Sequence, residues 1–232
     1  MSILEVKNIT KLYNGVNGIK NTSFTINEKG VYGFLGPNGA GKTTFMRIIS
    51  GTFKGRVVLA PKEFELRPTT DMAKEGLFNV LNNEFDFSEI AVLDLFAGTG
   101  NLGLESWSRG ASLVTFIDES KESLRLVNSN INKCRAQAEC TVHKGNAVVV
   151  AARLGTMGDR YDLAFCDPPY NKGWIEQIIA LFPEHSFLVD GGYLIVERSA
   201  HNELPPLPEC FENVREQKYG ETFIDFLRYS EK

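Results

Sequence analysis

An acid, two prolines and an aromatic ring stand in a row at Asp167-Pro168-Pro169-Tyr170, directly after the apolar run Leu163-Ala164-Phe165-Cys166. Prolines cannot continue a central ladder, so a buried strand is expected to stop there. That leaves one carboxylate, backbone carbonyls and a flat ring at the carboxyl end of a strand. In open α/β sheets this is where ligands bind. Carboxylate and carbonyl oxygens could accept both N–H bonds of an exocyclic amine, with Tyr170 stacked on the attached ring. Taken alone, the pattern also fits a plain proline turn.

A second signal lies upstream, at Asp94-Leu95-Phe96-Ala97-Gly98-Thr99-Gly100-Asn101-Leu102-Gly103. Its glycines satisfy the G-x-G-x-x-G fingerprint of dinucleotide sites, and Asp118 lies roughly where a ribose-binding acid belongs. A nicotinamide dehydrogenase is therefore a competing reading. Two features oppose it. Asp94 sits inside the strand, where that fingerprint wants apolar packing, and it suits a ligand carrying an ammonium group. A dehydrogenase also has no use for Asp-Pro-Pro-Tyr, and the chain offers no second catalytic domain.

A third signal, Gly36-Pro37-Asn38-Gly39-Ala40-Gly41-Lys42-Thr43, is the G-x-x-x-x-G-K-T phosphate loop. Gly36, Gly39 and Gly41 let backbone N–H groups converge on phosphate oxygens; Lys42 would reach the outer phosphates and Thr43 would hold Mg²⁺. With Tyr13 placed upstream as an adenine-stacking ring, residues 1–45 resemble the start of an ABC-transporter ATPase subunit. The rest of that machine is missing. No Leu-Ser-Gly-Gly-Gln occurs, and the apolar runs that end in an acid, 163–167 and 193–197, belong to later strands. So short a fragment buries little core, and a non-functional remnant is expected. The block 46–51 reads both as the helix after a phosphate loop and as the start of a different protein. The chain is accordingly read as a chimera joined there. Residues 46–52 should form a strand, and the phosphate loop should lose the helix N-terminus it depends on.

Composition sets the bounds. The 232 residues are 43% hydrophobic and 23% charged, enough for one sizeable domain plus something small. The net charge of −4 gives no global field for nucleic acid. Charge is uneven, however, because residues 1–45 carry five basic and two acidic residues. Cys134, Cys140, Cys166 and Cys210 have no C-x-x-C spacing, and His143, His185 and His201 are scattered. Reduced thiols and no metal site are expected. The polar N-terminus is unlike a signal peptide, and no apolar run approaches the roughly 18 residues of a membrane span. A cytoplasmic protein with no membrane association of its own is the simplest reading.

The elements that would position these groups alternate. Strands are expected at 90–96, 113–117, 140–143, 161–166 and 192–196. Helices are expected at 72–82, capped by Thr70 or Asp71, then at 98–109, after Ser120 to about 134, at 145–154 and at 171–182. Two runs, 213–219 and 222–229, should close the chain as an antiparallel hairpin. The fold class is α/β, a Rossmann-like, doubly wound and mainly parallel sheet with that C-terminal hairpin, plus a small β-rich N-terminal remnant. The expected divisions are 1–45, a hairpin arm at 46–66, and a main domain at 67–232.

Glycine turn, Asp118 and Asp-Pro-Pro-Tyr together resemble the S-adenosylmethionine-dependent methyltransferases. The resemblance implies a cofactor site of Asp94, Phe96, Ala97, Gly98, Gly100 and Asp118, with Asn146 and Ala147 at the adenine and Thr69 and Thr70 nearby. It implies Asp167, Pro168, Pro169 and Tyr170 as the amine-methylating motif. Residues 46–56, Arg67-Pro68-Thr69-Thr70-Asp71, the glycine motif, 167–170 and Tyr219-Gly220-Glu221-Thr222 further resemble, in order, the RsmD family. Those enzymes methylate N2 of a guanine in bacterial 16S ribosomal RNA. The likeness implies S-adenosylmethionine as cofactor, 16S rRNA or a small-subunit assembly particle as partner, and a monomer. Arg47, Lys54, Arg56, Arg67 and Lys172 are the candidates for RNA contact. Asn146 departs from the broader pattern, which favours an acid, but could still hydrogen-bond the adenine amino group. The alternatives are an amine methyltransferase acting on DNA adenine or protein glutamine, or an ATP-binding module working through 36–43.

Overall fold

The computed structural model describes residues 4–13, 17–26, 68–169 and 173–231, with the side chains of 4, 9, 11–13, 17–20, 26 and 68–73, the Tyr13 ring among them, outside that description. The expectations for the phosphate loop and for the junction at 46–52 lie outside the described residues. So do those for Arg47, Lys54, Arg56, Arg67, Tyr170 and Lys172. Two compact units divide after Val57.

The first unit contains an antiparallel pair, β1 (Leu4–Tyr13) and β2 (Asn17–Ile26). Its register shifts on either side of Ile9. The irregularity has a local cause. Asn8 and Asn21 adopt left-handed φ values of 50° and 48°, a region that asparagine tolerates better than most residues. The amide of Asn8 donates to Ser23 Oγ at 2.8 Å, and that of Asn21 to Thr10 Oγ1 at 2.9 Å.

The second unit begins with α1 (Pro68–Glu84). The expected Thr70 or Asp71 cap is corrected here, because both residues already lie within the helix. Pro68 opens it instead, at a position where the missing N–H would have no intrahelical partner anyway. Then follow β3 (Ala91–Asp94), α2 (Asn101–Ser108), β4 (Leu113–Asp118), α3 (Lys121–Cys134), β5 (Cys140–Lys144), α4 (Ala147–Met157) and β6 (Tyr161–Cys166). The single helix expected at 171–182 is two short ones, α5 (Trp174–Ile179) and α6 (Phe182–His185). Gly173, at φ 63°, delays the start, and Pro183 begins the second piece. The chain closes with β7 (Leu188–Ser199), β8 (Phe211–Tyr219) and β9 (Thr222–Tyr229). β7 is much longer than the 192–196 expected.

These strands form one seven-stranded sheet in the order β5-β4-β3-β6-β7-β9-β8. The first five are parallel; β9 pairs antiparallel with β7 and β8 with β9. The order reverses between β3 and β6. Chain leaving β3 crosses to one side and chain leaving β6 to the other, which opens a crevice at their carboxyl ends.

Each face of the sheet has its own core. On one, Leu77, Phe78 and Leu81 of α1 pack with Leu104, Val127, Phe165, Ile195 and Phe226. On the other, Val150, Ala151 and Leu154 of α4 pack with Leu93, Leu95, Cys166, Ile178, Phe187 and Leu194. Leu81, Leu93, Leu163 and Leu194 are fully buried, and truncation of such a side chain typically costs about 2–5 kcal/mol. Gly103 is required where α2 meets β4, since a Cβ there would collide with the Phe116 ring.

Candidate active site

Four of the five parallel strands deliver the candidate residues to one edge of the sheet. β3 ends in Asp94, β4 in Asp118, β5 is followed by Asn146, and β6 by Asp167, Pro168 and Pro169. Hydrophobic strand bodies bury themselves, while the polar residue that stops each strand is left at its open end.

The glycine turn after β3 is held from three sides. Gly98 and Gly100 take positive φ values of 54° and 79°, which let the chain reverse within a few residues. Asp118 Oδ2 accepts the amide of Gly98 at 2.8 Å, and Asp118 Oδ1 accepts that of Ser120 at 2.8 Å. Asp94, only 2% exposed, accepts the amide of Gly103 at 3.1 Å. Asn130, fully buried on α3, donates to the Thr99 carbonyl at 2.9 Å.

Each Asp118 oxygen therefore accepts one backbone N–H and keeps capacity for another donor, as two ribose hydroxyls would require. Asn146 is more committed. Its Oδ1 accepts both Val148 and Val149 amides, at 3.0 and 3.2 Å, as the N-cap of α4. Only its Nδ2 donors remain, so its expected partner changes: it can meet a ring nitrogen of adenine but not accept from the amino group. Ala147 is the first residue of that helix and is buried. Phe96 packs against Trp174 with ring centroids 5.9 Å apart. Trp174 Nε1 is buried and has no hydrogen-bond partner among the described residues.

Electrostatically the edge is crowded with carboxyls. Burial pushes Asp94 up to about 7, against the pull of the Gly103 amide. Asp167 is exposed as a residue, yet dense protein around its carboxyl withdraws enough water to raise it to about 6. Glu197 on β7 is raised to about 8, first by desolvation and then by Asp167. Burial also holds the Cys166 thiol far above its ordinary range, as an inert protonated group. An edge this acidic favours a cationic ligand beside Asp94 and a hydrogen-bond donor beside Asp167.

Asp94, Gly98, Gly100, Asp118, Asn146 and Asp167–Pro169 are thus brought to one edge. Of Thr69 and Thr70 the structure gives only the backbone, in the first turn of α1. Glu197, Asn130 and Trp174 were missed as site residues. Glu197 carried the same signal as Asp167, an acid closing an apolar run. Asn130 and Trp174 carried none, because their roles depend on tertiary packing.

A seven-stranded sheet in this order, with a glycine turn after its first central strand and acid-Pro-Pro after the strand across the reversal, defines a Rossmann-like methyltransferase fold. The family model described as Conserved hypothetical protein 95 matches residues 46–228, and the chain belongs to that family. It is 34% identical over 185 residues to Ribosomal RNA small subunit methyltransferase D of Escherichia coli, covering 80% of this chain and 90% of that protein. The solved structure of yhhF from Escherichia coli superimposes with a TM-score of 0.70 at 31% identity, covering 80% of this chain and 98% of that one. A separate likeness, 36% over 80 residues, is to the xylose import ATP-binding protein XylG of Thermoanaerobacter pseudethanolicus; it covers 32% of this chain and 16% of that one. It accords with an ABC-ATPase fragment fused to the methyltransferase.

Proposed function

We propose that the chain is an S-adenosylmethionine-dependent methyltransferase that modifies the exocyclic N2 amine of a guanine in small-subunit ribosomal RNA. The observation that carries this reading is the pairing, across the β3/β6 reversal, of a braced glycine turn with Asp167-Pro168-Pro169. One half suits a nucleoside cofactor; the other suits an amine. The small-subunit rRNA methyltransferase among its relatives supports the choice of substrate.

The cofactor supplies an electrophilic methyl group on a sulfonium. The remaining work falls to the protein. Asp118 would hold the ribose hydroxyls, Asn146 Nδ2 a ring nitrogen of the adenine, and the glycine turn would admit the chain of the cofactor at close range. Asp94 is buried, so it acts by fixing the turn and by placing negative charge beneath a cationic ligand. Asp167 and the Pro168 carbonyl would accept the two hydrogens of the amine. The nitrogen lone pair, otherwise delocalised into the ring, can then point at the methyl group. Tyr170 follows directly in sequence and is assigned to stack on a base turned out of its loop.

The test is transfer of labelled methyl from S-adenosylmethionine to under-methylated small ribosomal particles by the full chain, with nucleoside analysis of the product. N2-methylguanosine is expected. Label on another atom, or none on RNA, would overturn the assignment.

A further inference from the structure

β6 and β7 run in parallel, and their last matched pair is Cys166 opposite Val196. One residue further, a carboxyl stands at each position: Asp167, directly after the end of β6, and Glu197, still within β7. Adjacent parallel strands lie about 4.8 Å apart, and matched positions share a face. Glu197 shares its face with Ile195 and, across the pair with β9, with Ile224. It is half-buried, although strand packing alone would favour an apolar residue there.

No cation compensates it among the described residues, and none of them gives it a hydrogen bond. Its neighbour Arg198 faces the opposite way. That guanidinium donates to Asp225 Oδ2 at 2.6 Å, to Glu216 at 2.5 Å and to the Asn202 carbonyl at 2.6 Å. The other groups near Glu197 give no relief. Asp94 and Asp118 lie on the strands beyond Asp167, and the adjacent β9 and β8 residues, Ile224 and Gln217, are uncharged. Lys74 on α1 is taken up by Asn101 and Glu105. Cys166 faces the other core and stays a thiol, with Glu176 beyond it.

We propose that Glu197 is a positioning residue for amine methylation, sharing one proton with Asp167 so that the pair meets the substrate with a single negative charge. This rests on the function proposed above. Two ionised carboxyls on neighbouring strands would repel each other, and two protonated ones would leave nothing to accept a proton. The half-buried Glu197 keeps the proton more readily than Asp167, whose residue is exposed to solvent that can stabilise its charge. Asp167 is then the ionised partner. In the transfer, the amine lone pair forms the N–C bond and the C–S electron pair stays with sulfur. The cationic nitrogen then gives one proton to the Asp167 carboxylate, which Glu197 holds in place by donating its own O–H.

Single-turnover methyl transfer by the full chain to under-methylated small ribosomal particles, from pH about 5 to about 9.5, tests the role. The wild-type rate should rise with pH as the pair loses its first proton and fall again, above the ordinary carboxylate range, as it loses the second. Glu197→Ala should lower kcat about tenfold or more with KM for S-adenosylmethionine little changed. Glu197→Gln, which donates but does not titrate, should recover much of that loss and abolish the alkaline fall. An alkaline limb that survives in Glu197→Gln would overturn the proposal. A second readout needs no RNA. Carboxyl ¹³C titration of the full chain should show Glu197 moving down toward its ordinary range in Asp167→Asn, and an unmoved Glu197 refutes the sharing. Coupled titration without transfer by the wild type would instead count against the ribosomal-RNA reading.

Discussion

Asp94 shows how a single carboxyl can serve the turn and yet oppose the fold. Its oxygen braces the Gly103 amide, but burial raises it to about 7, above the ordinary carboxylate range. A group whose folded pKa is raised contributes stability that is complete below its unfolded pKa and is lost as pH rises through the folded value. The unliganded protein should therefore lose stability between pH about 4 and about 7. Asp94→Asn keeps an oxygen for Gly103 and should flatten that loss in urea titrations run at several pH values; an unchanged slope would contradict the assignment. Asp167 makes the opposite kind of prediction. Asp167→Ala should cut methyl transfer by about 100-fold or more, the scale of a lost transition-state hydrogen-bond partner, while cofactor binding stays within about threefold. Near-normal turnover in single-turnover assays would remove Asp167 from the mechanism.

At the scale of elements, the short polar segments after each strand do double service. Asn146 caps α4 and is also the residue proposed to meet the adenine. Asn146→Ala should cost about 1 kcal/mol in denaturant unfolding, and Asn146→Ser should recover most of it, as expected for a cap. Equal stability of all three proteins would show that the cap contributes nothing. The elements differ in how plainly the sequence announced them. Strands β3, β4 and β6 are largely apolar runs with an acid at or just after the end, so their positions and exposed ends were legible. So was the Ser120 cap, whose Oγ accepts the Ser123 amide. β7 was read from Gly192 only, and the structure begins it at Leu188, ahead of an irregular stretch in which Gly191 takes a φ of 79°; at Gly192 the Val189 and Asp162 carbonyls leave no room for a side chain. The break between α5 and α6 was hidden within a continuous apolar pattern. The role of Asn130 could not be read at all, because it is defined by a contact with a residue remote in sequence, whereas Glu197 closed an apolar run as visibly as Asp167 and was passed over.

Across the whole molecule, the two nucleotide-type motifs make separate predictions for ligand-induced stabilisation. S-adenosylmethionine at 100 times its Kd should stabilise the chain by about 2.7 kcal/mol in thermal unfolding, whereas ATP with Mg²⁺ should leave the midpoint unmoved. A shift with ATP would revive the phosphate loop as a working site. The strand order carries a consequence for the birth of the enzyme. β9, the last described strand, lies between β7 and β8 and pairs with β7 from Tyr193 to Ser199, the stretch that holds Glu197. Translation must therefore run past Tyr229 before the acceptor side of the crevice has its final neighbour. A chain still being synthesised carries the glycine turn and Asp167 but lacks the strand that fixes their companion. Methylating activity is thus withheld until β9 has been made and has paired with β7.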